Sequence, residues 1–292
     1  MTKTAFLAIV GRPNVGKSTL LNTVCGEKIA IVSNKPQTTR NRITGIYTKG
    51  EDQFVFLDTP GIHKPRTVLG DYMVRTANGS IGEADAILLV VEPVPSVGEI
   101  EAGIIEKIRA SNTPAILVVN KVDEHTPADI AATIAAYAAA YDFDAVVPIS
   151  AKSGKGVDAL FEEASKFLYE SVWYFPEDAV TDQPERQIAA EIIREKLLRT
   201  LNKEIPHGTA VVIEEFREEK NIIRIRAEIF CEKASHKGII VGKNGAALKL
   251  VGTYAREDLE KFLGTKVYLN LWVKVKENWR ESAATVGNFG YR

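Results

Sequence analysis

Cysteine, methionine and tryptophan are scarce in this chain of 292 residues, at two, two and three copies, and long apolar runs are missing. The two cysteines, Cys25 and Cys231, stand far apart with no partner at metal-ligand spacing, which excludes a disulfide scaffold and points to a reducing cytoplasm. Four histidines, His63, His125, His207 and His236, share no spacing that suggests a metal site. No stretch nears the roughly 20 apolar residues of a membrane-spanning helix. Residues 5–10 are too few for a signal-peptide core, run into Gly11 and read as a first strand. Neither sign of charge dominates, with 37 Lys and Arg against 38 Asp and Glu. What remains is an ordinary globular composition, long enough for about two domains at roughly 150 residues each.

The balanced total hides an asymmetry. Residues 181–292 hold 20 basic and 16 acidic side chains, a net +4, which leaves −5 for residues 1–180. Between positions 221 and 280 the excess sharpens to 12 basic against 6 acidic, a charge suited to a polyanion.

The first 170 residues alternate apolar strand-like runs (6–10, 43–48, 53–58, 86–91, 115–120 and 145–149) with helical patterns that include 17–25, 98–110, 126–141 and 156–168. Several strands are continuous Ile, Leu and Val, so helices should cover both faces of a mostly parallel sheet, an α/β fold. A stretch with Pro176 and Pro184 then interrupts both periodicities and reads as a linker over 172–184. Beyond it the pattern predicts a helix over 185–203, strands over 209–217 and 221–231, helices over 235–241 and 246–263, and a last strand over 266–275. The expected organisation is therefore one domain over 1–171, the linker, and an α+β domain over 185–292 that includes a C-terminal tail.

Directly after the first strand, Gly11-Arg12-Pro13-Asn14-Val15-Gly16-Lys17-Ser18 matches G-x-x-x-x-G-K-[ST] and leads into a helix. The glycines let the backbone wrap a phosphate chain, so amides from Asn14 through Val15, Gly16 and Lys17 to Thr19 can point at it. Lys17 would reach the β- and γ-phosphates, and the Ser18 hydroxyl would ligate Mg²⁺. Asp58-Thr59-Pro60-Gly61 closes the third strand, where Asp58 suits the Mg²⁺ and the Gly61 amide the γ-phosphate. Asn120-Lys121-Val122-Asp123 follows a later strand, and the Asp123 carboxylate can accept from guanine N1–H and the exocyclic amine, donors that adenine does not present. Ser150-Ala151-Lys152 would complete a guanine pocket through the Ala151 amide and the Lys152 stem.

Four such elements at strand ends resemble the translation-factor class of P-loop GTPases over about residues 5–170. The resemblance implies a threonine in Gln37-Thr38-Thr39-Arg40-Asn41-Arg42 that completes the Mg²⁺ shell when GTP is bound, with Thr39 favoured over Thr38. Where many relatives carry a water-orienting Gln, this chain has Ile62, so another catalytic aid is expected. Asn14 and the Thr-Thr-Arg segment resemble a subgroup in which this asparagine helps bind K⁺. The catalytic set is thus Asn14, Lys17, Thr39 and Gly61, and the cofactors are GTP or GDP, Mg²⁺ and K⁺.

Within the basic region, Ile239-Ile240-Val241-Gly242-Lys243-Asn244-Gly245-Ala246 sets a G-x-x-G loop between two helices. Such a loop lets backbone approach about four nucleotides of a single strand, with Lys243 supplying charge and an apolar groove receiving bases. The order of elements resembles a KH domain, with Gly242, Lys243, Asn244 and Gly245, and Lys237 and His236 nearby, as the RNA-binding set. On the last strand Trp272 falls on the face away from the core, where the pattern favours cross-strand packing over stacking on a base.

A GTPase domain followed by a KH domain over nearly the full chain is similar to the Era family. That resemblance implies a GTP-switched factor in 16S rRNA processing and small-subunit assembly, binding near the 16S rRNA 3′ end and acting as a monomer. It also implies a cytoplasmic protein found peripherally at the inner face of the cell membrane. The alternatives are a signalling GTPase whose C-terminal domain binds a protein, and an ATP-driven enzyme using the same phosphate loop.

Overall fold

The computed structural model describes residues 1–202 and 205–291. The chain forms two compact units, the first built from Met1–Ala30, Thr39–Pro65 and Met73–Asp182, the second from Ile31–Thr38, Arg66–Tyr72 and Gln183–Arg292.

In the first unit, β1 (Lys3–Val10) leads through the phosphate-loop sequence into α1 (Lys17–Cys25). There follow β2 (Ile43–Lys49), β3 (Asp52–Asp58), α2 (Val68–Glu83, of which the residues from Met73 onward belong to this unit), β4 (Ala86–Val91), α3 (Glu99–Ser111), β5 (Ala115–Val119), α4 (Pro127–Ala140), β6 (Ala145–Pro148), α5 (Val157–Ala164) and the short β7 (Tyr169–Glu170). The sheet order is β2-β3-β1-β4-β5-β6, with β7 on β1. β2 and β7 run antiparallel to their neighbours, and the other pairs are parallel. β4 and β5 are buried at every position, as continuous apolar runs in a sheet covered on both faces must be. One core lies on the face of Leu7, Ile9, Phe54 and Phe56, the other on the face of Ala8, Val10, Ile87 and Leu89.

α4 shows the local logic of helix entry. Pro127 occupies its first turn, while the Thr126 hydroxyl accepts from the Asp129 amide and the Asp129 carboxylate accepts from the Thr126 amide. The proline-bearing stretch read as a linker lies along this unit's sheet: Gln53 accepts from the amides of Tyr174 and Phe175, and Val180 accepts from Ile46.

The second unit opens with α6 (Glu185–Thr200), followed by β8 (Ala210–Glu219), β9 (Ile222–Cys231), α7 (Ala234–Val241), α8 (Ala246–Leu263), β10 (Lys266–Val275) and α9 (Ala283–Asn288). The expected end of the first of these helices, at Lys203, lies outside the described residues. β9 is the central strand, antiparallel to β8 and parallel to β10. Helices α6, α7 and α8 pack on one face around Ile192, Leu197, Ile225, Ile229, Val251 and Leu259. α6 also buries three consecutive ionisable residues, Arg194, Glu195 and Lys196. Arg194 pairs with Glu191 and donates to the Thr38 and Gln37 carbonyls, whereas Glu195 accepts the Val32 amide at 3.1 Å. These bonds explain why residues 31–38 belong with the C-terminal unit.

Candidate nucleotide and nucleic-acid sites

The phosphate loop departs from ordinary backbone at Gly11 (φ 150°) and at two further places. Asn14 has φ 68° and Gly16 φ 99°, both in the left-handed region. At Gly16 a Cβ would stand 2.2 Å from the Asn120 side-chain nitrogen, so glycine is required by backbone and neighbour alike. The Asn120 amide occupies that space because it donates to the Val15 carbonyl at 2.8 Å and accepts from the Ala151 amide at 2.9 Å. A single buried side chain therefore ties together the three segments expected to hold phosphate and base.

The oxygen-rich end of the site forms around Asp58. Ser18 donates to Asp58 Oδ2 at 2.7 Å, and the Ser18 and Thr39 hydroxyls lie 2.8 Å apart. Thr39 is itself 3.5 Å from Asp58 Oδ2. Thr38 faces elsewhere, donating to the Lys35 carbonyl at 2.6 Å. Asp58 is fully buried and its Oδ1 has no hydrogen-bond partner among the described residues. Burial pushes the Asp58 carboxyl up to about 6, against the pull of Lys17 and of bonds from Ser18, Thr39 and Thr59. Burial likewise pushes the Lys17 ammonium down to about 8, against the attraction of Asp58. An unsatisfied carboxylate oxygen beside two hydroxyls, with no nitrogen or sulfur donor, is a hard-oxygen set that fits Mg²⁺.

Lys17 Nζ lies over the loop, donating to the Gly11 carbonyl at 3.1 Å and the Arg12 carbonyl at 2.8 Å. Gly61 precedes Ile62, whose amide donates to Gly11 at 3.2 Å and whose side chain is buried in the core. Ile62 therefore offers no polar group at the position where many GTPases orient water. Asp123 is exposed, and a hydrogen bond from the Ser150 side chain holds its carboxyl below the usual range, so it is available as a charged acceptor. Lys152, two residues beyond Ser150, is exposed, and its charge favours the same ionised form.

Two participants carried no sequence signal. Glu92, just beyond β4, pairs with Arg12 of the phosphate loop and with Lys121 of the base motif, and Glu101 on α3 accepts from Arg12 at 3.1 Å. These carboxylates brace the loop from outside the motifs, and only the fold brings them there.

In the second unit, Gly242 ends α7 with φ 73° and packs so closely that a Cβ would lie 2.7 Å from that of Ala247. Asn244 (φ 53°) and Gly245 (φ 78°) are also left-handed, and Gly245 opens α8. Lys243 and Asn244 project to solvent, as does Lys237, while His236 is half-buried with its Nδ1 unpartnered among the described residues. Ile239, Leu250 and Tyr254 are exposed on the two helices that carry the loop. Charge and apolar surface thus occur together around a tight backbone turn, the combination that a single strand of nucleic acid requires.

Comparisons with known proteins show the family of the chain. The family model described as 50S ribosome-binding GTPase matches residues 6–121, and the KH domain model matches residues 204–280. A GTPase Era from Clostridioides difficile (strain 630) is 52% identical over 294 residues, covering 100% of this chain and 99% of its own. One from Clostridium kluyveri (strain NBRC 12016) is 50% identical over 293 residues, covering 100% of both. Among solved structures, Era in complex with MgGDPNP and nucleotides 1506–1542 of 16S ribosomal RNA superposes with a TM-score of 0.96 at 41% identity, covering 100% of this chain and 99% of that one. A tyrosine-to-alanine variant of Aquifex aeolicus Era bound to GDP·AlF4⁻ gives a TM-score of 0.96 at 41% identity, with 99% of both chains covered.

Proposed function

Because this chain belongs to the Era family of GTPases, we propose that it is a GTP-driven switch that binds the 3′ end of 16S rRNA during rRNA processing and assembly of the small ribosomal subunit. The observation that carries the reading is the near-complete superposition on a relative crystallised with 16S rRNA nucleotides 1506–1542 and a GTP analogue. The basic region around Gly242-Lys243-Asn244-Gly245 supports it, since that loop has the backbone for close approach and exposed charge on either side.

In this reading the loop from Gly11 to Thr19 holds the phosphates of GTP or GDP, and Asn120, Lys121, Asp123, Ser150, Ala151 and Lys152 form the guanine pocket. Ser18, Thr39 and Asp58 hold Mg²⁺, which when bound neutralises charge on the phosphate oxygens. Lys17 leaves the loop carbonyls for the β- and γ-phosphates, and the Gly61 amide reads the γ-phosphate. Asn14, exposed in a left-handed turn, helps hold K⁺ where other GTPases use an arginine, an aid suited to a site whose Ile62 is turned into the core.

Thr39 lies one residue from a segment that clusters with the C-terminal unit. Ordering of Thr39 by GTP is therefore transmitted along the chain, so that RNA binding and GTP affinity are coupled reciprocally. The reading takes the protein as a cytoplasmic monomer. No helix among the described residues is long and apolar enough to cross a membrane, so association with the inner membrane face is proposed as peripheral.

The test is GTP turnover in K⁺ and in Na⁺ buffer, with and without short single-stranded RNAs from the 3′ end of small-subunit rRNA. Stimulation by RNA that disappears in Gly242→Asp/Gly245→Asp supports the coupled switch. Normal turnover with no RNA binding moves the C-terminal domain to a protein-binding role. Equal turnover in the two salts removes K⁺.

A further inference from the structure

The sheet of the C-terminal unit packs helices α6, α7 and α8 on one face; on the other, Phe230 meets Phe289 at 4.5 Å between ring centroids, while Tyr268 and Trp272 on β10 stand open to water. On β10, Val267, Leu269, Leu271 and Val273 belong to the core, so Lys266, Tyr268, Asn270, Trp272 and Lys274 stand on the opposite side. Tyr268 is 51% and Trp272 58% exposed. The sequence pattern favours cross-strand packing for Trp272, but the parallel register sets it beside Glu228, with no aromatic partner among the described residues.

Cations flank Tyr268 and the stretch of strand between the two rings. The register places Tyr268 beside Arg224 and Asn270 beside Arg226, with Arg217 next to Arg224 across β8. The Arg224 guanidinium lies 5.2 Å from the Tyr268 ring centroid. Lys274 pairs with Glu228 at 2.5 Å and Arg224 with Glu219 at 3.1 Å, whereas Arg226 and Lys266 make no ion pair among the described residues. Glu215 is the other carboxylate in register on this face.

We propose that this outer face, centred on Tyr268 and Trp272, is a second RNA-binding surface that takes unpaired nucleotides by stacking. Exposed rings accept the π-face of any base, and nearby uncompensated cations follow the phosphates, the two elements by which single strands are held without strict sequence preference. Four residues of strand separate the rings by about 13 Å. Asn270 stands between them with an amide donor and acceptor that can meet a base edge. The bases of a duplex are already stacked, so the ligand must be single-stranded. A G-x-x-G loop engages about four nucleotides, and a longer unpaired segment has chain left to reach this face. The proposal rests on the RNA-binding reading above.

The test titrates the full-length protein with two fluorescently labelled, unstructured RNAs of about 5 and about 20 nucleotides, lengths chosen against the four-nucleotide loop. The double variant Tyr268→Ser/Trp272→Ser is expected to bind the short strand and turn over GTP as wild type does. Its affinity for the long strand should fall about tenfold or more, and Trp272→Phe, which keeps a ring, should lose much less. Arg226→Ala should lower the salt dependence of long-strand binding by about one unit of slope. Unchanged long-strand affinity in the double variant overturns the proposal and leaves the loop reading standing. Loss for both lengths also overturns it, because the rings would then serve the fold. If neither RNA binds the wild-type protein, the RNA reading itself fails and this surface falls with it.

Discussion

The Asn120 side chain donates to the Val15 carbonyl at 2.8 Å, which makes a residue of the base motif a structural part of the phosphate loop. Its other end accepts from Ala151, so phosphate loop, base motif and the third pocket segment share one buried amide. Replacing it by alanine strands a carbonyl and an N–H, each at a cost of about 1–3 kcal/mol. Asn120→Ala is expected to destabilise the nucleotide-free protein by about 2–4 kcal/mol and to weaken GDP and GTP together. Urea unfolding and nucleotide titration read the two effects.

The choice of base is expected to rest on Asp123. Its carboxyl is held ionised by the Ser150 side chain and is exposed to an incoming base. Asp123→Asn converts part of an acceptor into a donor, which opposes the guanine amine and suits the carbonyl at the same place in xanthine. GTP affinity should fall by about 10⁴-fold, and a xanthosine nucleotide should compete better than GTP. A gain for ATP instead would move the reading to an ATP-driven enzyme.

Asp58 imposes a pH dependence on the nucleotide-free chain. Its folded value, about 6, lies above the ordinary 3.8 because burial penalises the charge. A raised value contributes stability that is fully present below the unfolded pKa and is lost as pH rises through the folded one. Between about pH 4 and 6 this residue should remove about 3 kcal/mol of stability, at 1.36 kcal/mol per unit. Denaturant midpoints measured against pH should show that loss in the wild-type chain and a smaller one in Asp58→Asn.

Arg194 anchors residues 31–38 from within the C-terminal unit, fully buried against Glu191 and the Thr38 carbonyl. Breaking a buried pair from one side costs about 3–5 kcal/mol. Arg194→Met is expected to destabilise the protein by that order and to open residues 31–38 to limited proteolysis. Protease resistance equal to wild type would show that the other bonds to this segment suffice.

Both thiols should be inert in the folded protein. Burial pushes the Cys25 thiol up to about 12 and moves Cys231 in the same direction. The reactive thiolate is then almost absent at pH 8. Iodoacetamide is expected to leave both unmodified until denaturant is added, as mass spectrometry would show.

Much of the nucleotide site is legible in the sequence because its parts are short and contiguous. A strand, the Gly11 to Ser18 run and a helix each announce themselves by residue type. Other elements lacked that signal. α2 carries Gly70, Gly79 and Gly82, which weaken a helical pattern that tertiary packing nonetheless stabilises. β7 spans two residues, too few for any periodicity. Sequence order also says nothing of direction, and β2 proves antiparallel to β3.

Local chemistry in the chain therefore determined the phosphate loop, the strand-end motifs and the KH loop, since each depends on neighbours a few residues apart. Contacts between distant residues were decided by the fold alone. Asn120 reaches back 105 positions to Val15, and Glu92 joins Arg12 to Lys121. Of the three consecutive charges buried on α6, Arg194 and Glu195 find partners in chain from positions 31–38, and Lys196 pairs with Asp258 on α8. Trp272 stands in water because β10 has already turned its alternate residues inward. Which side chains lose water, and which partners replace it, is set only when segments far apart in the chain close on one another.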